Sequence, residues 1–170
     1  MLKAVFFDRD NTIIEDIPYN GDPRRVTLLP GAIEVMRYCR LLGYEIIIVT
    51  NQSGVGRGYI TEKEMHAVNS KVVNLFYDEG IVINGIYNCI HAPEEKCTCR
   101  KPHSGLLLKA AEDFDISLED SIMIGDKISD VLAGQNAGCK LNILISSTLD
   151  KYDNCVIVRN LDDVIKIIDS

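Results

Sequence analysis

The chain predicts a doubly wound α/β fold, a parallel sheet with helices on both faces, in one domain spanning residues 1–170. Two patterns carry that expectation. Short runs that are apolar throughout alternate with segments of helical period, and the chemically loaded residues stand directly after the apolar runs. A strand without polar alternation is covered on both faces, and helices between such strands supply right-handed crossovers to a parallel sheet. Ligands in folds of this kind bind beyond the carboxyl ends of the strands. Topology and motif placement therefore point to the same edge of the sheet.

Residues 3–8 form the first expected buried strand, followed by Glu45–Thr50, 85–90, Ser121–Ile124 and 141–146. Cys155–Val158 is short enough to close the sheet as an edge strand. Helices are expected at 31–42, 62–79, 105–114, 128–137 and 161–169. Thr61 and Glu64 have the spacing of a capping box, so the second helix has a defined start. Gly43 and Gly80 stand where helices end in a left-handed residue. Leu161, Val164, Ile165 and Ile168 repeat on one face of the last helix. The irregular stretches are 11–30, 51–60 and 89–104, and long loops of that kind tend to carry function.

A net charge of -7 and a pI near 4.9, without a basic run, exclude an electrostatic nucleic-acid surface. The apolar runs are too short to span a bilayer, and no charged leader precedes an apolar signal core. The expectation is a cytoplasmic, monomeric protein that contacts neither membrane nor nucleic acid. Six cysteines fit that compartment as reduced thiols. Cys39, Cys139 and Cys155 are scattered, whereas Cys89, Cys97 and Cys99 crowd together with His91. Clustered Cys and His in a reducing compartment point to metal before disulfide.

Asp8-Arg9-Asp10-Asn11-Thr12 follows the apolar run Ala4–Phe7 directly. Two carboxylates this close at a strand tip need a divalent cation or a shared proton. Asp8 is placed as a nucleophile toward phosphorus, forming an aspartyl-phosphate. Asp10 is then the general acid for the leaving oxygen and the general base for water. Asp126, after the Ile122–Gly125 run, adds a third carboxylate. Asp8, Asp126 and the Asp10 main-chain carbonyl make an oxygen set suited to Mg²⁺, with Asp130 supporting it from behind. Thr50, with Asn51, Gln52 and Ser53 beside it, supplies donors to a transferred phosphoryl group, and Lys101 supplies a fixed positive charge.

Cys89-x-His91 and Cys97-x-Cys99 offer three thiolates and one imidazole, the ligand set of a closed structural Zn²⁺ site. Four protein ligands leave no open position, so this metal is assigned no catalysis. Its loop leads straight into Arg100-Lys101, and the expected task is to hold those side chains over the phosphate.

In combination, Asp8-x-Asp10-x-Thr12, Thr50, Lys101 and Gly125-Asp126-x-x-x-Asp130 resemble the haloacid dehalogenase (HAD) superfamily of phosphotransferases. The resemblance implies a Rossmann-like core and Mg²⁺-dependent phosphomonoester hydrolysis. Thr50–Gly58, Cys99–His103 and Gly125–Lys127 further resemble the D-glycero-D-manno-heptose 1,7-bisphosphate 7-phosphatases. That likeness implies a phosphorylated sugar as substrate, bound by Arg9, Asp16, Tyr19, Asn51, Gln52, Ser53, Arg100 and Lys127. No long insertion separates the core elements, so a large cap domain is not expected. Asn11 and Ser104 depart from the Gly and Pro more usual at these positions. The five-residue spacer between the Cys/His pairs is closer to zinc-bearing histidinol-phosphate phosphatases, which remain the alternative substrate class. A zinc-stabilised binding module without turnover is the alternative from another class.

Overall fold

A computed structural model describes the whole chain, Met1–Ser170. Its elements run β1 (Ala4–Phe7), α1 (Ala32–Leu41), β2 (Glu45–Asn51), α2 (Ser53–Gly56), α3 (Glu62–Asp78), β3 (Gly85–Cys89), α4 (Gly105–Phe114), β4 (Ile122–Gly125), α5 (Ile128–Ala137), β5 (Leu141–Ile145), β6 (Val156–Val158) and α6 (Leu161–Asp169). Short 3₁₀ turns at Pro23–Arg25 and Leu118–Asp120 complete them. All six strands are parallel, in the order β3-β2-β1-β4-β5-β6. The doubly wound sheet is the predicted one, and the order reverses beside β1. That reversal opens the crevice in which such sheets bind ligands.

The two faces follow from strand alternation. Val5 and Phe7 of β1, with Ile46 and Ile48 of β2, bury against α1, α3 and α6 through Val35, Met36, Val72, Phe76, Leu161 and Val164. Ala4 and Phe6, with Ile47 and Val49, bury against Leu106, Leu107 and Ala110 of α4 and Ala133 of α5. The central strand β1 is wholly buried, which explains why its sequence shows no polar alternation.

The capping box at Thr61 forms with both of its hydrogen bonds, and Gly43 and Gly80 take left-handed conformations after their helices. One strand differs from expectation. β3 is the edge opposite β6, so Gly85–Asn88 are half-buried and only Cys89 is fully covered. Its apolar content is low for that reason, with Gly85, Tyr87 and Asn88 standing between and beside Ile86 and Cys89. The four-residue helix α2 was not expected, since Gly54 and Gly56 lower helix propensity. No helix is long and apolar enough to cross a membrane. The loops 8–31 and 90–104 are the largest segments above the strand ends, and no cap domain stands over them.

Candidate active site

Asp8 leaves β1 with its N–H donating to the Ile124 carbonyl at 3.0 Å, so the first carboxylate is fixed between two buried strands. The chain then turns sharply. The amides of Thr12, Ile13 and Ile14 all point to the Arg9 carbonyl. The turn requires a left-handed residue at Asn11, φ +59°, which explains why an Asn can replace the more usual Gly there. Asn11 Nδ2 and Thr12 Oγ1 reach across to donate to Asp126 at 3.0 and 3.3 Å.

Lys101 is 3% exposed, and its ammonium sits among three other chain segments. Nζ lies 2.7 Å from Asp8 Oδ1, 2.6 Å from Asp130 Oδ1 and 2.8 Å from the Val49 carbonyl. Burial alone would lower its pKa, but the charges of Asp8 and Asp130 outweigh it and hold the ammonium above its usual range. Asp130 also accepts the Lys127 N–H at 3.0 Å. Gly125 makes this possible, because a Cβ there would lie 2.3 Å from Asp130 Oδ2.

Asp8, Asp126 and Asp130 offer carboxylate oxygens within 4.8 Å of one another. Hard oxygen donors at this separation fit a divalent cation such as Mg²⁺. Both Asp130 oxygens already have protein partners, which leaves Asp8 and Asp126 as the more accessible ligands. The Asp10 carboxylate lies outside this cluster. Arg9 donates to it through Nε and Nη2 at 3.1–3.2 Å, and Gln52 Nε2 donates at 2.9 Å. Burial raises the Asp10 pKa, with the charge of Asp8 adding to it and that of Arg9 opposing it.

Thr50 ends within β2, where its hydroxyl accepts from the same Gln52 Nε2 at 2.8 Å. Asn51 uses both ends of its amide on the Lys101 main chain, at 3.0 and 3.1 Å. A cleft of ≈ 260 Å³ beside these groups is lined by Arg9, Asp10, Asp16, Tyr19, Asn51, Gln52, Ser53 and Lys127. Arg100 lies outside that lining, and its Nη1 is buried without a hydrogen-bond partner. Of the residues expected to meet substrate, Arg9 is 3% exposed and spends its guanidinium on Asp10 and Asn69. Asn51 and Gln52 likewise have their amides engaged within the site.

The Cys89, His91, Cys97 and Cys99 ligand atoms also gather within 4.8 Å. Cys89 Sγ lies 3.8 Å from Cys97 Sγ and 3.1 Å from Cys99 Sγ, and His91 Nδ1 lies 3.2–3.5 Å from two of these sulfurs. A tetrahedron with Zn–S near 2.3 Å has edges of about 3.8 Å, so the set is close to the size zinc needs. No disulfide forms. The loop packs on α2, where Gly56 donates to the Ile90 carbonyl at 2.8 Å, and it delivers Arg100 and Lys101 to the strand ends.

Known proteins are similar to this chain in sequence and fold. A family model described as HAD-hydrolase-like matches residues 98–152. The D-glycero-beta-D-manno-heptose-1,7-bisphosphate 7-phosphatase of Helicobacter pylori is 41% identical over 169 residues, 96% of this chain and 98% of its own. The chain belongs to the heptose-bisphosphate 7-phosphatase family. The D-glycero-alpha-D-manno-heptose-1,7-bisphosphate 7-phosphatase of Campylobacter jejuni is 37% identical, covering 96% and 94% of the two chains. The fold matches the D,D-heptose 1,7-bisphosphate phosphatase of B. bronchiseptica, solved with magnesium and phosphate, at a TM-score of 0.88 over 98% of both chains and 24% identity.

Within this family core, one residue of the site escaped the sequence reading. Asn69 of α3 is 6% exposed and accepts from Arg9 Nη1 at 2.8 Å. It occupies the apolar stripe of Met65, Val68, Val72 and Phe76. A lone polar residue on a core-facing stripe was the available signal.

The crowding of carboxylates sets a pH dependence. Burial, then hydrogen bonding to and repulsion from Asp8, push Asp126 from 3.8 up to about 7. A raised acidic pKa contributes stability that is complete below the unfolded value and is lost as pH rises through the folded one. Metal-free protein should therefore lose thermal stability between about pH 4 and 7. In Asp126→Asn that slope should be shallower, as differential scanning calorimetry across the window would show. Equal slopes in the two proteins would remove Asp126 as the cause.

Proposed function

We propose that this protein is a Mg²⁺-dependent phosphomonoesterase that removes the C7 phosphate of D-glycero-D-manno-heptose 1,7-bisphosphate through an aspartyl-phosphate on Asp8. The observation that carries the reading is the buried Lys101 ammonium holding one oxygen of Asp8, with Asp10 beside it at an open cleft. The full-length likeness to enzymes of that name supplies the substrate.

Asp8 and Asp126 would hold the cation, with the Asp10 carbonyl as a third ligand and Asp130 behind. Bound there, Mg²⁺ screens the repulsion between an anionic nucleophile and an anionic phosphate. With Oδ1 of Asp8 held by Lys101, Oδ2 is the oxygen assigned to attack phosphorus. The bond from phosphorus to the C7 oxygen breaks, and the proton of Asp10 passes to that oxygen. Burial, which raises the Asp10 pKa, favours the protonated acid for this step. Asp10 then takes a proton from water as the aspartyl-phosphate is hydrolysed. The Thr50 hydroxyl accepts from Gln52, so its own hydrogen is available to a phosphoryl oxygen. The amides at the start of α2 complete the cradle, and the Lys101 charge acts through Asp8, whose Oδ1 it holds.

Arg100 is assigned to the non-reacting phosphate because it stands next to Lys101 and its planar fork suits a phosphate. Tyr19, Asp16 and Lys127 on the cleft wall are assigned to the sugar and its charge. The zinc site is structural in this reading, since four protein ligands close it, and the whole chain acts as one catalytic domain.

Turnover of both heptose bisphosphate anomers, measured beside histidinol phosphate, tests the substrate. A higher kcat/KM for either heptose anomer is expected, and a preference for histidinol phosphate would move the protein to that class. Asp8→Asn should abolish turnover without unfolding the protein, and near-normal activity in a folded Asp8→Asn enzyme would remove it as nucleophile.

Arg100→Ala should lower kcat/KM for the bisphosphate by ~10–100-fold more than for a small monophosphate, in line with a lost charged hydrogen bond. Equal losses on both substrates would make Arg100 a general structural residue.

Protein purified without chelator should carry one zinc per chain by elemental analysis. Cys97→Ser should lose it and lower Tm by roughly 5–10 °C. Zinc-free protein of unchanged stability would remove the site.

A further inference from the structure

The Asp10 carboxylate is not free to choose its direction. Arg9 covers both of its oxygens, and Gln52 donates to Oδ2. Arg9 in turn has a long, flexible side chain that could swing toward Asp8 or an incoming phosphate. What stops it is its Nη1, which donates to Asn69 Oδ1 at 2.8 Å inside the protein. Asn69 is oriented from its other end, where Nδ2 donates to Asn88 Oδ1 on β3 at 3.0 Å. The amide therefore presents its oxygen to the guanidinium and its nitrogen to the edge strand, and the network assigns both ends without ambiguity.

We infer that Asn69, backed by Asn88, is a positioning residue for proton transfer: it fixes the Arg9 guanidinium so that Asp10 faces the leaving oxygen. The inference rests on the phosphomonoesterase reading above. In the step concerned, an Asp8 oxygen forms a bond to phosphorus, the phosphorus–oxygen ester bond breaks, and the Asp10 proton moves to the departing oxygen. A misdirected Asp10 hurts that step in proportion to how much the leaving group needs the proton. A p-nitrophenolate departs without it, whereas a basic phenolate or a sugar alkoxide does not. A residue that merely supports the fold lowers all these rates alike.

Neither Asn69 nor Asn88 lines the substrate cleft, so binding differences are not expected to confuse the readout. The experiment measures kcat/KM over a set of substituted phenyl phosphates that differ in leaving-group basicity, with Mg²⁺ and the zinc-loaded protein. This constant covers the steps through leaving-group departure and omits the hydrolysis of the aspartyl-phosphate, which is common to the whole set. Wild type should show a shallow dependence on basicity. Asn69→Leu, which keeps the volume but removes the acceptor, should steepen it. The expected loss is about threefold or less for p-nitrophenyl phosphate and about tenfold or more for the most basic phenolate, within the range general acid catalysis supplies. Asn88→Ala should steepen the line in the same sense and by less, and it carries the test if Asn69→Leu does not fold. A folded variant whose line runs parallel to wild type, or coincides with it, overturns the inference. A wild-type protein that hydrolyses none of the set overturns the phosphatase reading itself, and this inference with it.

Discussion

The active end of the sheet depends on one buried ammonium. Lys101 is the point where β1, β2, the first turn of α5 and the loop carrying the Cys/His cluster meet, through Asp8, the Val49 carbonyl, Asp130 and its own main chain. Taking a lysine and two carboxylates out of water is costly, and only close ion pairing with hydrogen bonds offsets it. Here each Nζ hydrogen has an acceptor within 2.8 Å. Deleting the ammonium would leave two carboxylates buried side by side, a worse state than never having buried them. The arrangement thus ties the fold of the site to the carboxylate at its centre, because the charge that holds the strand ends together also fixes one oxygen of Asp8.

That single ammonium does not balance the site. Asp8, Asp10 and Asp130 form ion pairs with Lys101 and Arg9, and Asp126 pairs with no cation, so four carboxylates meet two paired positive charges. Proton uptake is one response, and the high pKa of Asp126 expresses it. A divalent cation is the other, and it supplies the two missing positive charges. The imbalance is what one expects of a site built to hold a metal and to meet an anionic substrate with the metal in place.

Much of this was legible in the sequence, for identifiable reasons. The buried strands announced themselves because they are covered on both faces and carry no polar alternation. The capping box at Thr61 and the Cys/His spacing are local patterns, and local patterns survive without a structure. Asn11 looked like a departure until its positive φ showed a backbone demand that Asn also meets. What stayed hidden was long-range. The half-buried edge position of β3 depends on where the sheet stops. The Arg9–Asn69 contact spans sixty positions and brings together two residues with no shared motif. Arg9 and Asn51 were assigned to the substrate through likeness to the heptose-bisphosphate phosphatases. Both line the cleft, and the structure adds partners within the protein that the sequence did not show, Asp10 for Arg9 and the Lys101 main chain for Asn51. Adjacency in sequence locates a residue at the site without saying which way it faces.

The absence of a cap domain shifts the burden of shaping the cleft onto short loops, and the packing shows how they carry it. Tyr19 stands in a left-handed conformation at φ +53°, a costly choice for an aromatic residue unless its surroundings hold it there. Two contacts do so. Its ring lies edge-on to Tyr59 with centroids 4.7 Å apart, and it covers Gly54 so closely that a Cβ there would sit 2.7 Å from the ring. Gly54 belongs to α2, whose first turn also presents Ser53 to the cleft. The outer wall assigned to the sugar and the turn assigned to the phosphate are therefore packed as one unit. A change of wall residue made to accept a different sugar would move phosphate donors as well, so in this cap-free architecture substrate choice and catalytic geometry are physically coupled.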